Sequence, residues 1–151
     1  PGAAGMGLAA EIAYKQFEQK KAHLNELRRY FLEGVHQLEG ITVNGWDETV
    51  DGDECLERRA PHIVSVSFSG VRSEVLLNAL SDRGIYVSSG SACSSNHPAL
   101  STTLQAIGLE KPLLEGTLRF SFCENTTKEE LDEALAALKE LLPMLRRYTR
   151  R

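Results

Sequence analysis

The sequence is short of several things, and each shortage excludes a class of function. Only three cysteines occur in 151 residues. Cys55, Cys93 and Cys123 are widely spaced, odd in number and free of any CxxC, which fits neither a disulfide framework nor a zinc site. No apolar run approaches the roughly 18 residues that a membrane span requires, and no signal peptide opens the chain. Positive charge is not in excess: the formal net charge is -4, which argues against nucleic acid as the main partner. There is no internal repeat and no low-complexity linker. The glycines of PGAAGMG at the start do not spell GxGxxG and no strand precedes them, so a helix start is expected there and not a phosphate cradle. That opening also lacks an initiator methionine and reads as the interior of a longer chain, so the sequence is expected to be a piece of one. A reducing cytoplasm is the expected setting.

What is present suits one domain, residues 1–151, able to bury roughly two thirds of its unfolded surface without metal or disulfide. Leu24, Leu27, Phe31, Val35 and Leu38 follow helical spacing, and the pattern runs back through Phe17, Ala13 and Ile12 across a polar interruption at Lys20 and Lys21. One long amphipathic helix, stopped at Gly40, is expected. ITVNGW reads as a short strand turning at Asn44 and Gly45, and the acidic DETVDGDE after it reads as an exposed loop. In HIVSVSF, Ile63, Ser65 and Ser67 alternate with Val64, Val66 and Phe68, the mark of a half-buried strand.

A helix is expected from about Arg72 to Arg83, with Gly84 as its stop. IYVSS is then a second strand, parallel to the first, because a helical crossover of this length joins parallel neighbours. STTLQAIG predicts a short helix ended by Gly108, and TLRFSF a third core strand. Thr127 with Glu130 three residues on is a capping box for a last helix that turns Leu131, Leu135, Leu138 and Leu142 inward. Pro143 should kink or weaken that helix, and the arginines at 146, 147, 150 and 151 read as a solvated helix end favoured by the dipole. The fold class is α+β, a small mixed sheet with helices packed on it.

The candidate site lies in SSGSACSS, where Cys93 stands among five serines, Gly90 and Ala92. A structural cysteine sits among Val, Ile and Leu; a reactive one needs exposure and hydrogen bonds to its thiolate. Such a composition predicts a mobile loop from Ser88 to about Ala99. GIYVSSGSACSS, followed by LQAIG and then GTLRFSF, resembles the C-terminal small domain of the cysteine desulfurases of the NifS and IscS type, class-V aminotransferases on the fold-type-I pyridoxal phosphate scaffold. PGAAGMGLAAEIA resembles the helix that leaves their large domain, and NTTKEELDEAL their terminal helix. The stretch from Cys93 to Ile107 resembles the branch with a long cysteine loop.

The resemblance implies that Cys93 is the nucleophile: it attacks the sulfur of a substrate L-cysteine held on pyridoxal phosphate, leaving L-alanine and a persulfide for iron–sulfur cluster or other thio-cofactor assembly. Arg119 is then the anchor for the substrate carboxylate, which a guanidinium binds bidentately from a rigid strand. The implied partners are the large cofactor domain of the same enzyme, L-cysteine and a sulfur-acceptor protein, with the parent a homodimer and with neither membrane nor nucleic acid involved. No lysine stands in the Ser-x-His-Lys context that the family uses for its cofactor. This chain is therefore expected to hold no cofactor and to be inactive alone, as a monomer or weak dimer. His97 reads as a solvated loop residue, Cys123 as a small hydrophobe at a strand end, and Cys55 as incidental. The alternative is a free-standing persulfide carrier or interaction module without cofactor.

Overall fold

The computed structural model describes residues 1–52, 59–89 and 101–149. In chain order its elements are α1 (Gly2–Tyr14), α2 (Phe17–Val35), β1 (Ile41–Asn44), α3 (Glu48–Asp51), β2 (Ile63–Phe68), α4 (Ser73–Ser81), β3 (Ser88–Ser89), α5 (Thr102–Ala106), α6 (Lys111–Glu115), β4 (Thr117–Ser121) and α7 (Lys128–Thr149). The strands form one 4-stranded sheet in the order β1-β2-β4-β3. The fold is α+β as expected, but every strand pair among the described residues is antiparallel, so the sheet is not mixed. β2 and β3 do run in the same sense, as the crossover through α4 requires. They are not neighbours, because β4 enters between them and opposes both.

Alternation along the strands sorts side chains into two faces. Val64, Val66 and Phe68 of β2, with Leu118 and Phe120 of β4 and Phe122 just beyond it, point into the core. Cross-strand register sets Val66 beside Leu118 and Val64 beside Phe120. Helices α2, α4 and α7 cover this face with Leu27, Phe31, Leu76, Leu80, Leu138 and Leu142, all buried. Phe31 meets Phe120 at a tilt with ring centroids 4.8 Å apart and meets Phe122 edge-on at 5.4 Å. Burial of each such ring contributes roughly 2–3 kcal/mol. The other face carries Thr42, Asn44, Ser65, Ser67, Thr117, Arg119, Ser121 and Ser88 in register.

Helix ends follow local chemistry. The capping box is present: Thr127 N–H donates to Glu130 Oε2 at 3.0 Å and Glu130 N–H to Thr127 Oγ1 at 3.3 Å. Gly84, at φ 77, closes α4, with Ile85 N–H returning to Leu80 O at 3.0 Å. Helix α7 continues past Pro143, which sits on its exposed side. Gly116, between α6 and β4, lies so close to the preceding strand that a Cβ there would fall 2.4 Å from Phe68 O and 2.8 Å from Val71 O.

Three expectations are corrected. The long N-terminal helix is two helices: Gln16 takes a left-handed φ of 60, away from the polar interruption at Lys20 and Lys21. Helix α1 buries no residue, and its contacts with α2 include an exposed Tyr14–Phe17 ring contact at 5.7 Å and a Lys20 Nζ bond to Ile12 O at 3.4 Å. The acidic loop after β1 is in part buried. Asp47 caps α3 by accepting from Thr49 N–H at 3.0 Å and contacts His36 Nε2 at 2.6 Å, while Glu48 is buried against Arg28 and Arg59. Arg146 is not merely a solvated helix end: its guanidinium donates to the carbonyls of Glu39 and Ser69, tying α7 to the turns beside β1 and β2.

Candidate functional site

Arg119 occupies the middle of β4, and the period of two in TLRFS turns it away from the buried Leu118 and Phe120. It is exposed on the polar face of the sheet. Ser65 of β2 is its partner on one side and Ser88 of β3 on the other. Arg119 Nη2 donates to Ser88 Oγ at 3.4 Å. Among the described residues it has no carboxylate partner.

One register step along, the same face is closed. Ser67 and Thr117 are buried, and a directed chain of hydrogen bonds satisfies them. Thr117 Oγ1 donates to Leu113 O at 2.7 Å, so its single proton is used, and Ser67 Oγ shares its own proton between Thr117 Oγ1 at 2.7 Å and Asn44 Oδ1 at 3.2 Å. Asn44 Nδ2 then donates to Ser67 Oγ at 2.9 Å and to Ser65 Oγ at 3.1 Å. The chain seats α6 on the sheet beside Ser67 and stops short of Arg119. The sequence did not announce α6, whose KPLLE is too short to show a period.

Arg28, Arg59 and Arg83, unlike Arg119, are engaged in structure. Arg28 is buried and bound by Glu48, with Nε 3.1 Å from both carboxylate oxygens, and donates to Trp46 O at 2.8 Å and to Ile63 O. Arg59 reaches Glu48 at 2.8 Å. Arg83 grips Glu140 with two bonds, 2.7 and 2.9 Å. Pattern reasoning missed the Arg28–Glu48–Arg59 cluster, because its members are far apart in sequence and only the tertiary fold joins them.

Cys93, His97 and Cys55 lie outside the described residues, as does most of the expected mobile loop. Its first two residues, Ser88 and Ser89, are strand β3, paired with β4. The structure thus brings Arg119 together with the start of the segment that carries Cys93. Cys123 is corrected: it is an exposed thiol in the turn after β4, not a packed hydrophobe. Thr126 Oγ1 donates to its sulfur at 3.6 Å, and this bond, with backbone N–H groups of Asn125 and Thr126, holds its pKa below the ordinary thiol value against opposition from burial and Glu130.

Pyridoxal phosphate chemistry needs an amine free to bond the cofactor aldehyde. Lys20 pairs with Glu124 at 2.8 Å and Lys128 with Glu26. Lys15, Lys111 and Lys139 are exposed on helices or at their ends, and Lys21 lies beside Lys20 on α2.

The class-V aminotransferase profile matches residues 1–134. The chain belongs to the class-V aminotransferase family. Among class-V relatives, a cysteine desulfurase IscS of Vibrio atlanticus (strain LGP32) is 41% identical over 142 residues, 94% of this chain and 32% of the relative. A solved structure described as a NifS-like protein superposes with a TM-score of 0.69 at 30% identity, over 89% of this chain and 31% of that one. A NifS-like protein from Rickettsia africae ESF-5, at 16% identity and a TM-score of 0.74 over 93% of this chain and 34% of its own, shares the fold. The chain spans about a third of the length of the curated relatives it matches. No described helix is long and apolar enough to cross a membrane.

Proposed function

We propose that residues 1–151 are the small domain of a pyridoxal phosphate-dependent cysteine desulfurase, with the cofactor held by a large domain outside this chain. The observation that carries the reading is the 41% identity, over 94% of the chain, to a protein named cysteine desulfurase IscS. Arg119 supports it: an exposed guanidinium on a rigid strand, without a carboxylate partner among the described residues, suits a substrate carboxylate.

Arg119 is the anchor and Cys93 the nucleophile of this proposal. The Cys93 sulfur bonds to the sulfur of L-cysteine while the substrate's carbon–sulfur bond breaks. The electron pair and a proton end on carbon, so that L-cysteine and an enzyme thiol become L-alanine and an enzyme persulfide, with atoms balanced. The persulfide then passes to a sulfur-acceptor protein for iron–sulfur cluster or other thio-cofactor assembly. The parent enzyme is a cytoplasmic homodimer, and the small domain alone turns over no cysteine.

The test is mass spectrometry of the complete enzyme after one turnover with L-cysteine. One added sulfur on Cys93 and an equivalent of L-alanine are expected, and Cys93→Ser should abolish the persulfide, since a hydroxyl attacks sulfur poorly. Alanine released at the parent rate by Cys93→Ser would remove Cys93 from the reaction.

A further inference from the structure

Two serines stand beside Arg119, and they are not equivalent. Ser65 Oγ accepts from Asn44 Nδ2 at 3.1 Å and belongs to the chain of bonds that runs away toward α6. Ser88 Oγ is the atom that Arg119 Nη2 touches, at 3.4 Å. Cross-strand register places Ser88, on the edge strand β3, directly opposite Arg119 on β4, so the contact is set by backbone pairing. We propose that Ser88 is a positioning residue for Arg119, holding its guanidinium extended over the open end of the polar face. The inference rests on the reading of Arg119 as the carboxylate anchor.

The chemistry favours a hydroxyl at this place. An arginine side chain has many rotamers, and fixing it before the ligand arrives lowers the ordering cost of binding. A guanidinium has five N–H donors, and a single neutral acceptor engages one and leaves the rest for a two-oxygen contact with a carboxylate. A carboxylate in place of Ser88 would hold the side chain as well but would cancel its charge. Alanine would leave the charge and lose the hold. Serine is the small residue that supplies an acceptor without a charge.

The experiment uses the complete, cofactor-loaded enzyme, with KM and kcat for L-cysteine and the dissociation constant for L-alanine by calorimetry. Ser88→Ala should raise KM and the L-alanine constant together, by about 3- to 10-fold for one lost hydrogen bond, and leave kcat within about twofold. Ser88→Thr keeps the hydroxyl and should restore both. Ser88→Asp should pair with the guanidinium and match the defect of Arg119→Ala. If Arg119→Ala is defective while Ser88→Ala binds like the parent, the positioning role is overturned and the anchor stands. A fall in kcat with KM unchanged in Ser88→Ala also overturns it. If Arg119→Ala itself binds L-alanine and L-cysteine like the parent, the anchor reading falls and takes this inference with it.

Discussion

Arg28 and Arg119 carry the same side chain into opposite surroundings. Around Arg28 the fold supplies a carboxylate and two carbonyls, and the guanidinium is buried. Around Arg119 it supplies, among the described residues, a strand and two serines, and leaves the side chain exposed. A charge taken out of water must be surrounded or it destabilises the fold, so Arg28 is a fastener that joins α2 to α3 and β2. A charge left facing water costs the fold little and is free to be completed by something else. The difference separates an arginine that the fold needs from one that a ligand can use, and it follows from partners and burial alone.

The largest expected effect breaks the first region. Arg28→Ala leaves Glu48 and two carbonyls without their shared donor, and unfolding free energy should fall by about 3–5 kcal/mol. Urea denaturation of the chain measures it; a loss under about 1 kcal/mol would put Arg28 in the same class as Arg119.

Arg119→Ala should do the reverse. Stability should stay within about 0.5 kcal/mol, while L-cysteine binding by the complete enzyme weakens by roughly 2–4 kcal/mol for a lost charge-assisted pair. A comparable loss of stability would mean that the fold itself depends on this arginine.

Thr117→Val sharpens the boundary between the closed and open ends of the polar face. It leaves Leu113 O without its donor and Ser67 with only the longer contact to Asn44 Oδ1, at 3.2 Å, to donate to, at about 1–3 kcal/mol of stability. Binding of L-cysteine should change less than in Arg119→Ala. Equal binding losses would show that the two ends act as one unit.

The smallest effect belongs to the exposed pair of Arg83 and Glu140. Arg83→Ala should barely move the denaturation midpoint, and what shift there is should shrink with salt. The bond and charge from Arg83 hold the Glu140 carboxyl below its ordinary pKa. The folded pKa is depressed, so the pair's small contribution is present above the usual carboxylate range and is lost as pH falls through the lowered value. Titration of Glu140 by NMR should show its midpoint return toward the ordinary value in Arg83→Ala.

The parts of this arrangement differ in how openly the sequence carries them. Phe68, Leu118 and Phe120 could be assigned to the core, and Arg119 to the opposite face, because strand alternation is local. The Thr127–Glu130 cap and the Gly84 stop were legible for the same reason. Asp47 and Glu48 were not: acidic residues in a run read as solvent-facing, and the approach of Arg28, Arg59 and His36 makes their burial tolerable. The break at Gln16 has neither glycine nor proline to mark it. Strand order also escaped, since helix α4 fixes the relative sense of β2 and β3 and says nothing of a strand arriving later between them. Arg119 could be nominated from the resemblance, but its pairing with Ser88 needs the register of two strands far apart in sequence.

Gly116 has a consequence for all of this. A side chain there would collide with the carbonyls of Phe68 and Val71, which are backbone and cannot rotate aside. The chain is therefore indexed at this point like a ratchet tooth, and with a repeat of two each later residue inherits its side from that notch. A slip of one tooth would carry Leu118 and Phe120 out into water and swing Arg119 inward among the phenylalanines. The residue with no side chain thus decides which way the guanidinium three positions later is allowed to look.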